Sequence, residues 1–163
     1  MVTGAEPSAA VQNAGRLLFA LLAVLVFVAD RATKLAVTAN VASGTERRVL
    51  PFVWITNTHN AGAAFGVAQE GTLLLLFVVG SIAVAIGLVY YVARTPVTAA
   101  VGALLGLIMG GTVGNGYERL LNGTVTDFIA LHFWPVFNVA DSAITVGVVL
   151  LLAGYLVRSR RAG

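Results

Sequence analysis

Two of the seven carboxylates in this chain have the spacing that peptide-bond chemistry needs. Asp127 and Asp141 flank the short segment Ala130–Phe137, so a turn there lets both reach one point. Carboxylates that share a site cannot both ionise easily, and one pKa rises. The ionised member then acts as general base on water, and the protonated member donates to the carbonyl oxygen. Such a pair hydrolyses a peptide bond without cysteine, serine or metal. Each acid also has a plainer reading. Asn138-Val-Ala-Asp141 resembles a capping box, with Asn138 as N-cap. Asp127 taken alone reads equally as a solvated loop acid. Capping and catalysis are compatible at Asp141, because a helix N-terminus favours a charged carboxylate. The expectation is an ionised Asp141 beside a protonated Asp127, titrating as one unit.

Further polar residues have helical spacing. Asn115 and Arg119 stand at i and i+4, where an amide and a guanidinium on one face can bind a peptide backbone. Arg119 can equally snorkel to headgroups or pair with Glu118. Asp30 and Lys34 share the spacing, and a helix-end ion pair is their simpler reading. His59 and His132 read as interfacial or loop residues rather than catalysts. With no cysteine and only these two histidines, neither a thiolate nucleophile nor a multi-histidine metal site is expected.

The elements that must position these groups are membrane helices. Charged residues make up 10% of the 163 and hydrophobic residues 58%, with mean hydropathy +0.91. Soluble proteins carry about 25% charged residues. A chain this short cannot hide so much apolar surface from water. The net charge of +3 comes from scattered basic residues, nine of them arginine, so no nucleic-acid partner is implied. Four spans of about 20 apolar residues are expected. They run from Leu17 through Asp30 and Lys34 to Val37, over Leu73–Ala93, over Thr95–Tyr117, and from Asn138 to Val157. Residues 1–15 read as a flexible cytoplasmic N-terminus, and 158–163 as a basic cytoplasmic tail. Arg16 precedes 13 apolar residues as in a signal peptide, but no small-residue cleavage site follows, so an uncleaved helix is expected.

An even number of spans leaves both termini on one side, with Arg16, Arg94, Arg158, Arg160 and Arg161; the other side holds Arg47 and Arg48 in the loop after the first span. The positive-inside rule then makes the termini cytoplasmic. Asp30, Lys34, Asn57, His59, Asn60, Asn115, Glu118, Arg119, Asp127, Asn138 and Asp141 all gather toward the opposite face. Charges in or near lipid are costly and usually functional. Residues 40–70 are too polar to span. Their Val-Leu-Pro-Phe-Val-Trp-Ile-Thr run reads as strands and turns, with Trp54 as an interfacial anchor. Asn122-Gly123 signals a turn, and Thr124–Ile129 alternates as a short strand. Gly102, Gly106, Gly110 and Gly114 form a stripe for close helix packing.

Four stretches in order give the chain a resemblance. They are Asp30-Arg-Ala-Thr-Lys34, Asn60-Ala-Gly-Ala-Ala-Phe-Gly66, Gly110-Gly-Thr-Val-Gly-Asn-Gly-Tyr-Glu-Arg119, and Gly123-Thr-Val-Thr-Asp-Phe-Ile129 running on to Phe137-Asn-Val-Ala-Asp141. From Leu17 to Val157 the chain resembles the lipoprotein signal peptidases (signal peptidase II), bacterial inner-membrane aspartyl peptidases. The resemblance implies that Asp127 and Asp141 are a catalytic dyad. It implies that Asn60, Asn115, Arg119 and Asn138 surround or bind substrate, and that Asp30 and Lys34 support the fold. Residues 40–70 would be a β-cradle on the membrane surface. Substrates would be prolipoproteins cut just before a cysteine that carries a diacylglyceryl group, with no metal or other cofactor. Membrane lipid is the other expected partner, and a monomer is expected. Glu118 departs from the family pattern, which usually has Asp before the arginine. If its reach to a specific partner matters, local geometry changes. Arg31, where Gln is often found, is a lesser departure. Three rivals remain at this stage, one of them a peptidase of the same chemistry for unlipidated substrates, which a lipid-free peptide would test. A small proton-coupled transporter or channel subunit would hold acids at mid-span, and a glycine-packed scaffold gives no reason for the two aspartates to converge.

Overall fold

Apolar runs of this length form helices in lipid, where every backbone polar group must be paired within its own segment. The computed structural model describes residues 9–61 and 70–162. Helix α1 spans Ala9–Asn40, α2 Glu70–Arg94, α3 Ala99–Asn122 and α4 Val139–Ala162. All four are long and apolar enough to cross a membrane. Large apolar side chains such as Leu25, Leu76, Ile86 and Leu152 point away from the protein. Lipid covers that surface in a chain of this class. The fold is therefore membrane α-helical, with a small antiparallel sheet at one end of the bundle.

Several boundaries differ from the sequence expectation. Helix α1 starts at Ala9, so the second half of the segment expected to be flexible is helical. Helix α4 runs on to Ala162 and takes up most of the expected basic tail. Apolarity marks where a helix crosses lipid, whereas backbone hydrogen bonding continues past that point. Helix α3 likewise continues past Tyr117 through Glu118 and Arg119. It ends at Asn122, where Gly123 adopts the left-handed conformation and its N–H returns to Arg119 O at 2.9 Å. At its start Thr98 caps Val101 N. The Arg16 guanidinium donates to Val92 O and Ala93 O, two carbonyls in the last turn of α2.

Helix α3 lies at the centre, packed against α1, α2 and α4. The glycine stripe makes this possible. A Cβ at Gly106 would meet Phe19 O at 2.6 Å, and one at Gly110 would meet Ala23 O at 2.5 Å. Gly114 leaves room for a different neighbour, since its Cβ would lie 2.8 Å from the Asp30 carboxylate. The stripe thus carries α1 along α3 until an acid from α1 enters the bundle.

Strands β1 (Glu46–Leu50) and β2 (Val53–Asn60) form a hairpin between α1 and α2. The third strand, β3 (Val125–Ala130), comes from the α3–α4 connection and pairs antiparallel with β2, in the order β1-β2-β3. The platform expected from residues 40–70 alone is thus completed by the strand that carries Asp127. Asn57 donates to Val41 O at 2.8 Å and ties β2 to the end of α1. Trp54 is stacked by His132 at 3.7 Å between ring centroids and approached by Arg48, so it holds the β3–α4 loop. The exposed aromatics here are Phe52, Phe133 and Trp134.

Candidate active site

The β3–α4 connection turns back on its own strand. Phe128 N and Ile129 N both donate to Phe137 O, and Phe137 N donates to Ile129 O. The next residue, Asn138, opens α4. This return brings the start of α4 beside β3, and Asp141 onto the side of the sheet where Asp127 stands.

Asn138 joins the two acids. Its side chain donates to Asp127 Oδ1 at 2.7 Å and accepts from Asp141 N at 2.9 Å. Asp141 Oδ2 accepts from Asn138 N at 3.2 Å. The capping box expected from spacing is thus present in both directions. Asp127 is not a solvated loop acid. It lies within a strand, 4% exposed. Its Oδ2 accepts from Asn60 at 3.0 Å, and its carbonyl accepts from Thr58 Oγ1 at 2.9 Å.

Asn115 and Arg119 share a helix face but part in function. Asn115 Oδ1 accepts from Lys34 Nζ at 2.8 Å and from Asn138 Nδ2 at 3.1 Å, while its amide donates to Asp141 Oδ1 at 2.8 Å. It is an internal link between α1 and the acids. Arg119 stacks over Phe77 at 4.7 Å, and its Nε is buried without a hydrogen-bond partner among the described residues. With Phe77, Ser81, Asn115 and Asp141 it lines a groove between α2 and the α3–α4 pair. A second, mostly apolar groove on the other side of Asp141 is lined by Leu131, Phe133, Trp134 and Phe137. Asp141 stands where the two meet.

Asp30 and Lys34 form no surface ion pair. Lys34 is 1% exposed and Asp30 is fully buried. The ammonium faces three acceptors: Asp30 Oδ2 at 2.9 Å, Glu118 Oε2 at 3.0 Å and Asn115 Oδ1 at 2.8 Å. That number matches its three N–H donors. Asp30 Oδ1 also accepts from Ala140 N at 3.0 Å, one residue before Asp141. Glu118 turns away from Arg119 and takes the hydroxyl and N–H of Thr126, at 2.7 and 3.2 Å. Thr126 is the site residue that sequence reasoning missed. Its only signal was its place beside Asp127. Arg31 lies 3.7 Å from Glu118 Oε1 and over Tyr117. His59 is exposed on β2, and His132 pairs with Glu46 at 3.1 Å. Neither joins the acids. Residues 62–66 of the second motif lie outside the described residues. Among the described residues no cluster of histidine, cysteine or acid side chains has metal-binding geometry.

Loss of hydration raises the Asp127 pKa from 3.8 to about 6. Hydrogen bonds from Asn60 and Asn138 and the charge of Lys34 oppose that rise, while the Asp141 charge adds to it. The residue's contribution to stability is therefore fully present below 3.8 and is lost as pH rises through about 6. The melting temperature of the parent minus that of Asp127→Asn is expected to fall across that window. Thermal unfolding in detergent at several pH values measures it, and a flat difference would contradict a raised carboxyl.

Comparisons with known proteins agree on one family. Residues 22–157 match the family described as signal peptidase (SPase) II. The lipoprotein signal peptidase of Francisella tularensis subsp. mediasiatica is 34% identical over 154 residues, covering 90% of this chain and 96% of that one. That of Dehalococcoides mccartyi is 39% identical over 140 residues, covering 83% and 87%. A bacterial membrane enzyme solved by the in meso method at 1.9 Å superposes with TM-score 0.76 at 33% identity, covering 83% of this chain and 90% of that one. With four apolar helices, a sheet at one end of the bundle and a match over most of its length, this chain is a membrane aspartic peptidase that belongs to the signal peptidase II family.

Proposed function

We propose that this protein removes the signal peptide from prolipoproteins whose cysteine carries a diacylglyceryl group, using Asp127 and Asp141 on one water molecule. The observation that carries this reading is the single amide of Asn138 bonded to both acids, Asp127 through its carboxyl and Asp141 through its N–H. Asp141 takes a proton from water as the oxygen attacks the scissile carbonyl carbon. Asp127, protonated, gives its proton to the carbonyl oxygen. The tetrahedral diol then collapses. The C–N bond breaks, the amine leaves with a proton from Asp141, and Asp127 recovers its own from the diol hydroxyl. Burial around the pair strengthens these transfers.

Arg119, whose Nε has no hydrogen-bond partner among the described residues and which lines the groove, is suited to hold a substrate carbonyl. Asn60 and Asn138 hold Asp127, and Asn115 holds Asp141. The substrate has two apolar arms, a signal helix and acyl chains. Two grooves meeting at Asp141 suit such a molecule. The distribution of arginines supports cytoplasmic termini in the bacterial inner membrane, with the site near the extracytoplasmic face.

The test is cleavage of a diacylglyceryl-modified precursor and its unlipidated counterpart by the purified protein in detergent. Cleavage of the modified form alone, just before its cysteine, is expected. Equal cleavage of both would make the protein a peptidase for unlipidated substrates.

A further inference from the structure

Among the described residues strand β3 is an edge strand, paired in the sheet with β2 on one side. Its outward N–H groups need other acceptors. Phe128 N and Ile129 N have Phe137 O. Thr126 N has Glu118, which also holds the Thr126 hydroxyl. Asp127 lies between these two anchor points. The inner side of the strand is a weaker guide here, because the β2–β3 register shifts between Ile55 and Thr58, directly before the Thr58–Asp127 pair. Glu118 is itself held from α1 by Lys34 at 3.0 Å and is 4% exposed. Its carboxylate therefore spans α3 to β3 and fills a fixed gap. An aspartate there would end about one C–C bond, roughly 1.5 Å, short. It could not keep both Thr126 contacts and Lys34.

Resting on the two-aspartate reading above, we propose that Glu118 is a positioning residue for Asp127. It acts through Thr126, and its length as well as its charge sets where the Asp127 carboxyl stands. An aspartate at this position would be damaging in this chain. Thr126 is then part of the same device. The charged groups around Asp127 are Asp141 on α4, Lys34 on α1 and Arg119 on α3. None of them is altered by the variants below.

The experiment compares kcat, KM and the pH profile of parent, Glu118→Asp, Glu118→Gln and Thr126→Val on the diacylglyceryl-modified precursor, per folded molecule. Displacing a reacting group by about 1 Å costs about a hundredfold in rate. We expect kcat to fall about tenfold to a hundredfold in Glu118→Asp and Thr126→Val, with KM within about twofold. Glu118→Gln retains the reach and should lose less than Glu118→Asp. The alkaline limb of kcat/KM should move to lower pH in Thr126→Val, because a looser strand hydrates Asp127. Thr126→Val exchanges a hydroxyl for a methyl in a strand, so it carries the test if Glu118→Asp does not fold. Parent-like kcat and pH profile in folded Thr126→Val would overturn the proposal. So would loss of the folded fraction in both variants, which would make the role architectural. A parent that fails to cleave, or an Asp127→Asn control that still cleaves, would instead overturn the two-aspartate reading.

Discussion

Asp127→Asn and Asp141→Asn are each expected to lower cleavage by about a thousandfold or more while the protein still folds. General acid–base groups contribute about 10²–10⁴ in rate, and here each acid needs the other. The double variant should be hardly worse than either single one, because groups that act as a unit are not additive. Both changes carry a local cost in stability. Asp127 receives one N–H from Asn60 and one from Asn138, and Asp141 receives one from Asn115 and one from Asn138. An amide offers one oxygen where the carboxylate offered two, so one donor in each case faces an N–H. That costs about 1–3 kcal/mol. Folded fraction and single-turnover cleavage measured together separate the two effects. More than a tenth of parent activity in either folded variant would show that the pair is not the catalytic one.

Lys34→Met is expected to have the second large effect, this time on folding. Three acceptors converge on the Lys34 ammonium. Without it Asp30 and Glu118 remain buried and close, with no cation between them, and Asn115 loses a donor. Breaking a buried ion pair by removing one partner costs about 3–5 kcal/mol. That approaches the whole stability of a small domain. The variant should therefore melt far below the parent in detergent. Adding Asp30→Asn and Glu118→Gln should recover part of the loss, since a neutral set leaves no unpaired charge. A Lys34→Met protein with the parent's melting temperature would mean that water reaches this site.

The glycine stripe, the capping box and the i,i+4 pairs were legible because each is local. Asp141 as the third residue of a helix opened by Asn138 follows from three residues of spacing, and the structure has both of its hydrogen bonds. Asp30 and Lys34 were legible as a pair, though not as a buried one. Their burial depends on Gly114, which lies 80 residues beyond Lys34 and gives the Asp30 carboxylate its space. Spacing also put Asn115 and Arg119 together. Packing divides them, because Lys34 and Asp141 occupy the Asn115 amide while Phe77 lies under Arg119. The departure at Glu118 was visible in the sequence, but its partner Thr126 was not.

The sequence by itself determined the solvent, the four spans, the clustering of polar residues at one face and the two candidate acids. Hydropathy and helical spacing are properties of neighbouring residues, and they need no knowledge of the rest of the chain. Only the tertiary structure decided that β3 completes the sheet, that Asn138 joins the acids and that Lys34 ties α1 to Asn115 and Glu118 on α3. Those contacts close over long stretches of chain: 81 residues from Lys34 to Asn115 and 110 from Asp30 to Ala140. The physical reason lies in packing. A buried charge has no preferred partner until the helices meet, and which partners it meets is set by where glycines let two backbones touch.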